Sequence, residues 1–208
     1  MIEYQQIPPL TKAFPTFSLD FIPYPLLAGL LILAMILASL RMRKRSLAFL
    51  LGFTLFYGYL LAVAAIIFFP ITVPDGWPGN ITAQNALFTL AHINLIPFNF
   101  GDLFSANAWT IFIQLAGNIL LTLPFGFAMP FLARISPHRL FWLALSAGFA
   151  LEGAQLAFEL TGLVSAYGHS VDINDVLLNA AGVLVGYGLF GLAARLKREF
   201  TKDRRLRS

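Results

Sequence analysis

Cysteine is absent from the 208 residues, and charge is scarce: Asp, Glu, Lys and Arg together make up 12% of the chain. The first absence excludes a disulfide scaffold, thiolate metal sites and cysteine nucleophiles, while leaving the redox compartment open. The second excludes a water-soluble globule. An ordinary domain carries about 25% charged residues, whereas here 58% of the chain is hydrophobic and the mean hydropathy is +0.76. Too little polar surface is left to cover such a core. Solenoid-type repeats and low-complexity segments are missing as well. What remains is the composition of a membrane protein, and the net charge of +4, which would suggest nucleic acid in a soluble chain, takes its meaning from where the basic residues lie. They lie at the ends of apolar runs, and no nucleic-acid partner is expected.

A membrane-spanning helix needs about 20 apolar residues, since each rises about 1.5 Å through a hydrocarbon core about 30 Å thick. Five segments meet this length. The first, 21–40, and the second, 46–70, contain no charged side chain and are separated only by Arg41-Met-Arg43-Lys44-Arg45, which predicts a tight helical hairpin. The third is expected over 109–133, with Trp109 as an interfacial anchor, the fourth over 140–164 and the fifth over 175–194. An outer loop, 71–108, joins the second and third spans, and a basic tail follows from 195 to 208. The fold class is thus an all-α polytopic transmembrane bundle of five helices.

Five spans place 13 of the 14 Lys and Arg residues on one face and leave Lys12 alone on the other. The positive-inside rule makes the first face cytoplasmic, with the N-terminus outside and the C-terminus cytoplasmic. Residues 1–20 then form an extracytoplasmic tail without a basic n-region, and the first span reads as a retained anchor, not a cleaved signal. Asn80-Ile-Thr82 matches a glycosylation sequon on the outer face, a match too short to carry weight.

Chemistry in such a chain belongs to polar side chains inside the spans, where an ionisable group is costly and normally faces a cavity or a partner. Glu152 falls near the middle of the fourth span, and Gln155 and Glu159 follow on the same helical face. In the fifth, Asp172, Asp175, Asn179, Gly182 and Gly186 recur every three or four residues, a stripe that packs against another helix. An antiparallel neighbour joined by a short loop would bring Gln155 and Glu159 close to 172–179. The third span adds Asn118 and Thr122, then Pro124-Phe-Gly126, a pair expected to kink the helix or free a carbonyl.

Blander explanations stand beside these. A single Asn or Gln in a span is often interhelical glue, Asp172 and Asp175 suit a helix cap and first turn, and Gly182 and Gly186 suit close packing. His92 and His169 fit surface histidines as readily as ligands. Glu152 is the residue hardest to explain structurally, because no basic residue occurs inside any span.

Four motifs in order carry a family resemblance: Asn94-Leu-Ile-Pro97-Phe98, Asn118-Ile-Leu-Leu-Thr-Leu-Pro124-Phe-Gly126-Phe, Glu152-x-x-Gln155, and Asp172-Ile-Asn-Asp175-x-x-x-Asn179-x-x-Gly182-x-x-x-Gly186-Tyr187. Together they resemble the VanZ-like family of small bacterial integral membrane proteins, whose founding member is associated with resistance to the glycopeptide teicoplanin. The resemblance implies a four-span domain over 46–194, with 21–45 an added helix and basic turn. It also implies a multi-pass protein of the bacterial cytoplasmic membrane. That pattern has an Arg shortly before its first Asp in the fifth span, where this chain has His169, exchanging a permanent cation for one that titrates near neutrality.

Three functional readings stay open. In the first, an outward-facing polar pocket binds or modifies a lipid-linked or cell-envelope substrate. Glu152, Asp172 and Asp175 are then the candidate catalytic residues, because carboxylates sharing a low-dielectric site divide into proton donor and acceptor. Asn94, Asn118, Gln155, His169 and Asn179 are the candidate substrate-binding residues. A metal, if one is used, would fall to Glu152, Asp172, Asp175 and His169, a spacing that matches no dedicated ligand motif. In the second, the bundle binds lipid or antibiotic, or scaffolds a partner, without chemistry. In the third, Glu152 relays protons in a transporter, though no second copy of the motif set suggests inverted repeats. Membrane lipids are the expected partners, with an envelope precursor or a glycopeptide as candidate ligand; the pattern identifies no cofactor.

Overall fold

The computed structural model describes residues 15–74, 83–99, 108–165 and 171–206. His169, Lys12 and the Asn80 sequon lie outside them. Six helices dominate: α1 (Tyr24–Met42), α2 (Leu47–Phe68), α3 (Ala83–Ala91), α4 (Ala108–Leu132), α5 (Pro137–Leu160) and α6 (Ile173–Leu206). All but the short α3 are long and apolar enough to cross a membrane, and the protein is a multi-pass membrane protein. Where a soluble helix would be polar, these expose Leu31, Leu55, Phe112 and Leu120, as lipid-facing helices do.

The turns between helices are built from local signals. Ser46 caps α2 by accepting a hydrogen bond from the Phe49 N–H at 3.2 Å, and Ser136 caps α5 by accepting from Arg139 N–H at 3.4 Å, with Pro137 in its first turn. Lys44 takes a left-handed φ of 57° to close the α1–α2 hairpin. The Arg45 guanidinium then rests 5.0 Å from the centre of the Phe49 ring.

At the opposite end the chain adds a small antiparallel sheet that composition did not suggest. Strand β1 (Pro15–Leu19) pairs with β2 (Ile71–Pro74), and β2 pairs with β3 (Val164–Ser165), opposing Phe17 to Val73 and Ile71 to Ser165. The sheet ties the entry to α1, the exit of α2 and the exit of α5 into one rim. The bundle thus has a sheet end and a basic end.

Helix α6 is the hub. A third of its most apolar stretch is buried, against 11% for α1, α2 and α4, and it packs most extensively on α4 and next on α5. The reason lies in its glycines. A Cβ on Gly182 would run into the Ile119 carbonyl and Thr122 of α4, one on Gly186 into the Leu123 carbonyl, and one on Gly126 of α4 into the Val183 carbonyl. Two backbones in such contact gain dispersion energy that lipid cannot match. Leu140, Ala144, Ala180 and Val183 form the apolar core beside this seam. Helix α4 runs unbroken through Pro124 and Pro130.

Two expectations change. The basic segment from Arg195 is not a separate tail: α6 continues through it to Leu206. And α6 begins lower beside α5 than a simple antiparallel pair would place it. Asp172 meets Glu152, about two turns short of the end of α5, so Glu152 and not Glu159 lies level with the start of α6. After α5 the chain turns at Gly162, whose φ of 71° suits glycine, joins the sheet as β3, and has returned by Asp172 to the level of Glu152.

Candidate functional site

Two non-helical segments, 92–99 and the residues leading into α6, meet inside the rim. Their backbones pair in parallel: Asn94 N–H donates to the Val171 carbonyl at 3.0 Å, and Ile173 N–H donates to the Asn94 carbonyl at 2.9 Å. Non-helical backbone among membrane helices is tolerated only where its polar groups are satisfied by protein or face a cavity, and here side chains supply the partners.

Asp172 is the centre of that network. Its Oδ1 accepts from the Asn174 N–H at 2.7 Å and from Asn174 Nδ2 at 2.8 Å, while Oδ2 accepts from Asn94 Nδ2 at 3.0 Å. Its carbonyl accepts the N–H groups of Asp175 and Val176, the first turn of α6. This is a helix-capping carboxylate with both oxygens occupied. Asn174, 3% exposed, reaches the other way: Nδ2 also donates to the Asn99 carbonyl at 2.9 Å, and Oδ1 accepts from Phe98 N–H at 2.6 Å. Asn94 completes the clip by donating to the Asn99 carbonyl and accepting from Ile96 N–H. The result is a short loop, with Phe98 in a left-handed conformation at φ 63°, fastened over the start of α6. Its apolar side chains Leu95, Ile96 and Phe98 are turned outward and exposed.

Below the clip sit the other two carboxylates. Glu152 is 6% exposed and its Oε2 accepts one backbone N–H, that of Asp172, at 3.3 Å. Asp175 Oδ1 accepts from Asn118 Nδ2 of α4 at 2.6 Å. One turn deeper, the Thr122 hydroxyl donates to the Asn179 carbonyl at 2.6 Å. Asn179 is 2% exposed, and its Oδ1 has no hydrogen-bond partner among the described residues. No Lys or Arg occurs between Arg45 and Arg134 or between Arg139 and Arg195, so neither α5 nor the buried part of α6 brings a cation to this cluster.

Of the candidate residues, the structure thus brings together Glu152, Asp172, Asp175, Asn94 and Asn118, with Asn179 buried a turn further in. Gln155 is half-buried on α5, one turn nearer the sheet end than Glu152. His169 falls outside the described residues. Among those described, no three His, Asp or Glu residues form a group that could hold a metal ion. Asn174 is not among the residues the sequence pattern singles out. It lies two residues from Asp172, off the stripe of three- and four-residue steps, and so faces the loop instead of the helix seam. The signal that could have found it is the Asp-x-Asn spacing, which favours a side chain bonding backbone two residues on.

These features define a polytopic helical membrane protein with an acidic cluster at one end of its bundle, Glu152 buried and Asp172 and Asp175 half-buried, beneath a polar-clipped loop. A family model described as VanZ/LLP1 matches residues 56–194, two thirds of the chain, and the protein belongs to that family. The match takes in the last part of α2, the whole of the site and α6 as far as Ala194, leaving α1 outside. No curated protein and no solved structure matches the chain.

Proposed function

We propose that the acidic cluster faces outward and binds, and in one step protonates or deprotonates, the polar head of a lipid-linked cell-envelope molecule, contributing to glycopeptide resistance of the teicoplanin type. The observation that carries the proposal is Glu152. A carboxylate 6% exposed, with one backbone donor and no Lys or Arg between Arg139 and Arg195, costs stability and is retained where it has work to do. Glu152 is then the candidate proton donor or acceptor. Asp175, whose Oδ1 is held by Asn118, is the candidate partner for a polar ligand group. Asp172 has a different part: with both oxygens occupied by Asn94 and Asn174, it positions the loop. Leu95, Ile96 and Phe98 supply an apolar rim suited to a lipid chain.

The orientation rests on the positive-inside rule, which puts the basic end in the cytoplasm of a bacterial cell and the cluster toward the outer leaflet. Binding without chemistry is the second reading, favoured by the saturation of Asp172. The two separate in one experiment. Glu152→Gln and Asp175→Asn, at equal membrane levels, are scored for teicoplanin susceptibility and for changes in envelope lipids and cell-wall precursors. Loss of resistance with loss of a modified product supports chemistry, and loss of resistance with unchanged precursors supports binding. Wild-type behaviour of both variants refutes the site.

A further inference from the structure

The basic end of the bundle carries a second feature, independent of the acidic cluster. Between α4 and α6 lies an open cavity of about 740 Å³ whose lining changes character along its length. Toward the bundle it is walled by Phe127 and Phe131 of α4 and Phe190 of α6, and toward the end of α6 by Lys197, Arg198 and Lys202. The aromatic wall is a built surface. Phe127 and Phe190 meet edge to face at 5.8 Å, and the Phe131 ring covers Gly52 of α2, where even a Cβ would collide with it. Glu199, which falls between Arg198 and Lys202 on α6, does not line it.

We propose that this groove is a binding site for an anionic glycerophospholipid of the adjoining leaflet. Phe190 and Lys202 are separated by about 18 Å of helix, room for a phosphate at the basic end and the first part of an acyl chain at the aromatic end. The apolar section lies toward the bundle interior and the cations toward the end of α6, the polarity of a lipid standing in its leaflet. Its acyl chains lie against the three phenylalanines, and its phosphate accepts hydrogen bonds from Lys197, Arg198 and Lys202, with Thr201 between them. A basic pocket between membrane helices at this level is the recurrent form of such sites. The continuity of α6 through Arg195 matters here. A continuous helix sets Arg198 and Lys202 one turn apart, with Lys197 beside them, along the same cavity as the aromatic wall.

The test uses the purified full-length protein in detergent, titrated with phosphatidylglycerol or with phosphatidylcholine of the same chains and read by native mass spectrometry. Saturable retention of one or two phosphatidylglycerol molecules, at least tenfold tighter than phosphatidylcholine, is expected. Each cation near a membrane surface is worth roughly fivefold, so the triple variant Lys197→Gln, Arg198→Gln, Lys202→Gln should weaken phosphatidylglycerol by about a hundredfold. Ala193→Phe, which fills the groove while leaving every charge in place, should remove the saturable component too. Equal retention of the two lipids overturns the proposal. Full retention by Ala193→Phe does so as well, because the attraction would then be diffuse charge and not a groove.

Discussion

Along its first two turns α6 is held by polar side chains from three other segments, Glu152, Asn118 and the Asn94 loop, whereas its last three turns carry exposed cations beside an apolar groove. Between these ends, Gly182 and Gly186 set it against the backbone of α4. One helix therefore shows three ways of fixing a membrane element. The middle is specified by shape, the first turns by hydrogen bonds made where water is scarce, and the last turns carry exposed charge. The polar end costs most to build, since each of its groups must find a partner.

Variants that attack each part should rank accordingly. Gly186→Leu has the largest expected effect: its side chain meets the Leu123 carbonyl and the Phe127 N–H, and more than about 3 kcal/mol of overpacking should abolish folded protein in the membrane, read by size-exclusion chromatography of solubilised material. Asn174→Ala comes next. It strips partners from Phe98 N–H, the Asn99 carbonyl and Asp172, at an expected loss of about 2–3 kcal/mol in thermal unfolding. Because the chain has no cysteine of its own, an Ile96→Cys reporter should also label faster once the loop is released. An unchanged labelling rate would show that the clip is not held by Asn174. Thr122→Ala, which removes the bond to the Asn179 carbonyl, is expected to cost about 1 kcal/mol. Ser136→Ala, at the exposed cap of α5, should cost about 1 kcal/mol or less and leave function unchanged. If Ser136→Ala proved as damaging as Asn174→Ala, the contrast between a bonded sheet end and a free basic end would fail.

The five spans were legible because long apolar runs with basic residues gathered between them leave no other solution; the observed helices begin within a few residues of those runs, and all but α6, which continues to Leu206, end within a few residues of them too. The glycine stripe was legible for the same reason, as a period. The sheet was not. Pro15–Leu19, Ile71–Pro74 and Val164–Ser165 are two to five residues long and pair across more than fifty positions of sequence, so no local pattern marks them. The acidic cluster was legible as a set, since Glu152, Asp172 and Asp175 are conspicuous in apolar surroundings. Its internal division was hidden. Whether a carboxylate caps a turn, as Asp172 does, or lies beneath it, as Glu152 does, depends on a loop from 78 residues away and on α6 starting about two turns below the end of α5. Periodicity carries neither fact.

The central claim is that Glu152 is kept at the expense of stability for what it does. Glu152→Gln keeps one oxygen as acceptor for Asp172 N–H and removes the acid–base function by exchanging the other oxygen for an NH2 group, so thermal unfolding of the purified variant, measured beside teicoplanin susceptibility of cells carrying it at normal membrane levels, addresses the point directly. The expected result is an unfolding temperature equal to or above that of the wild type together with loss of resistance. A lowered unfolding temperature with resistance intact would make Glu152 a structural residue and contradict the account.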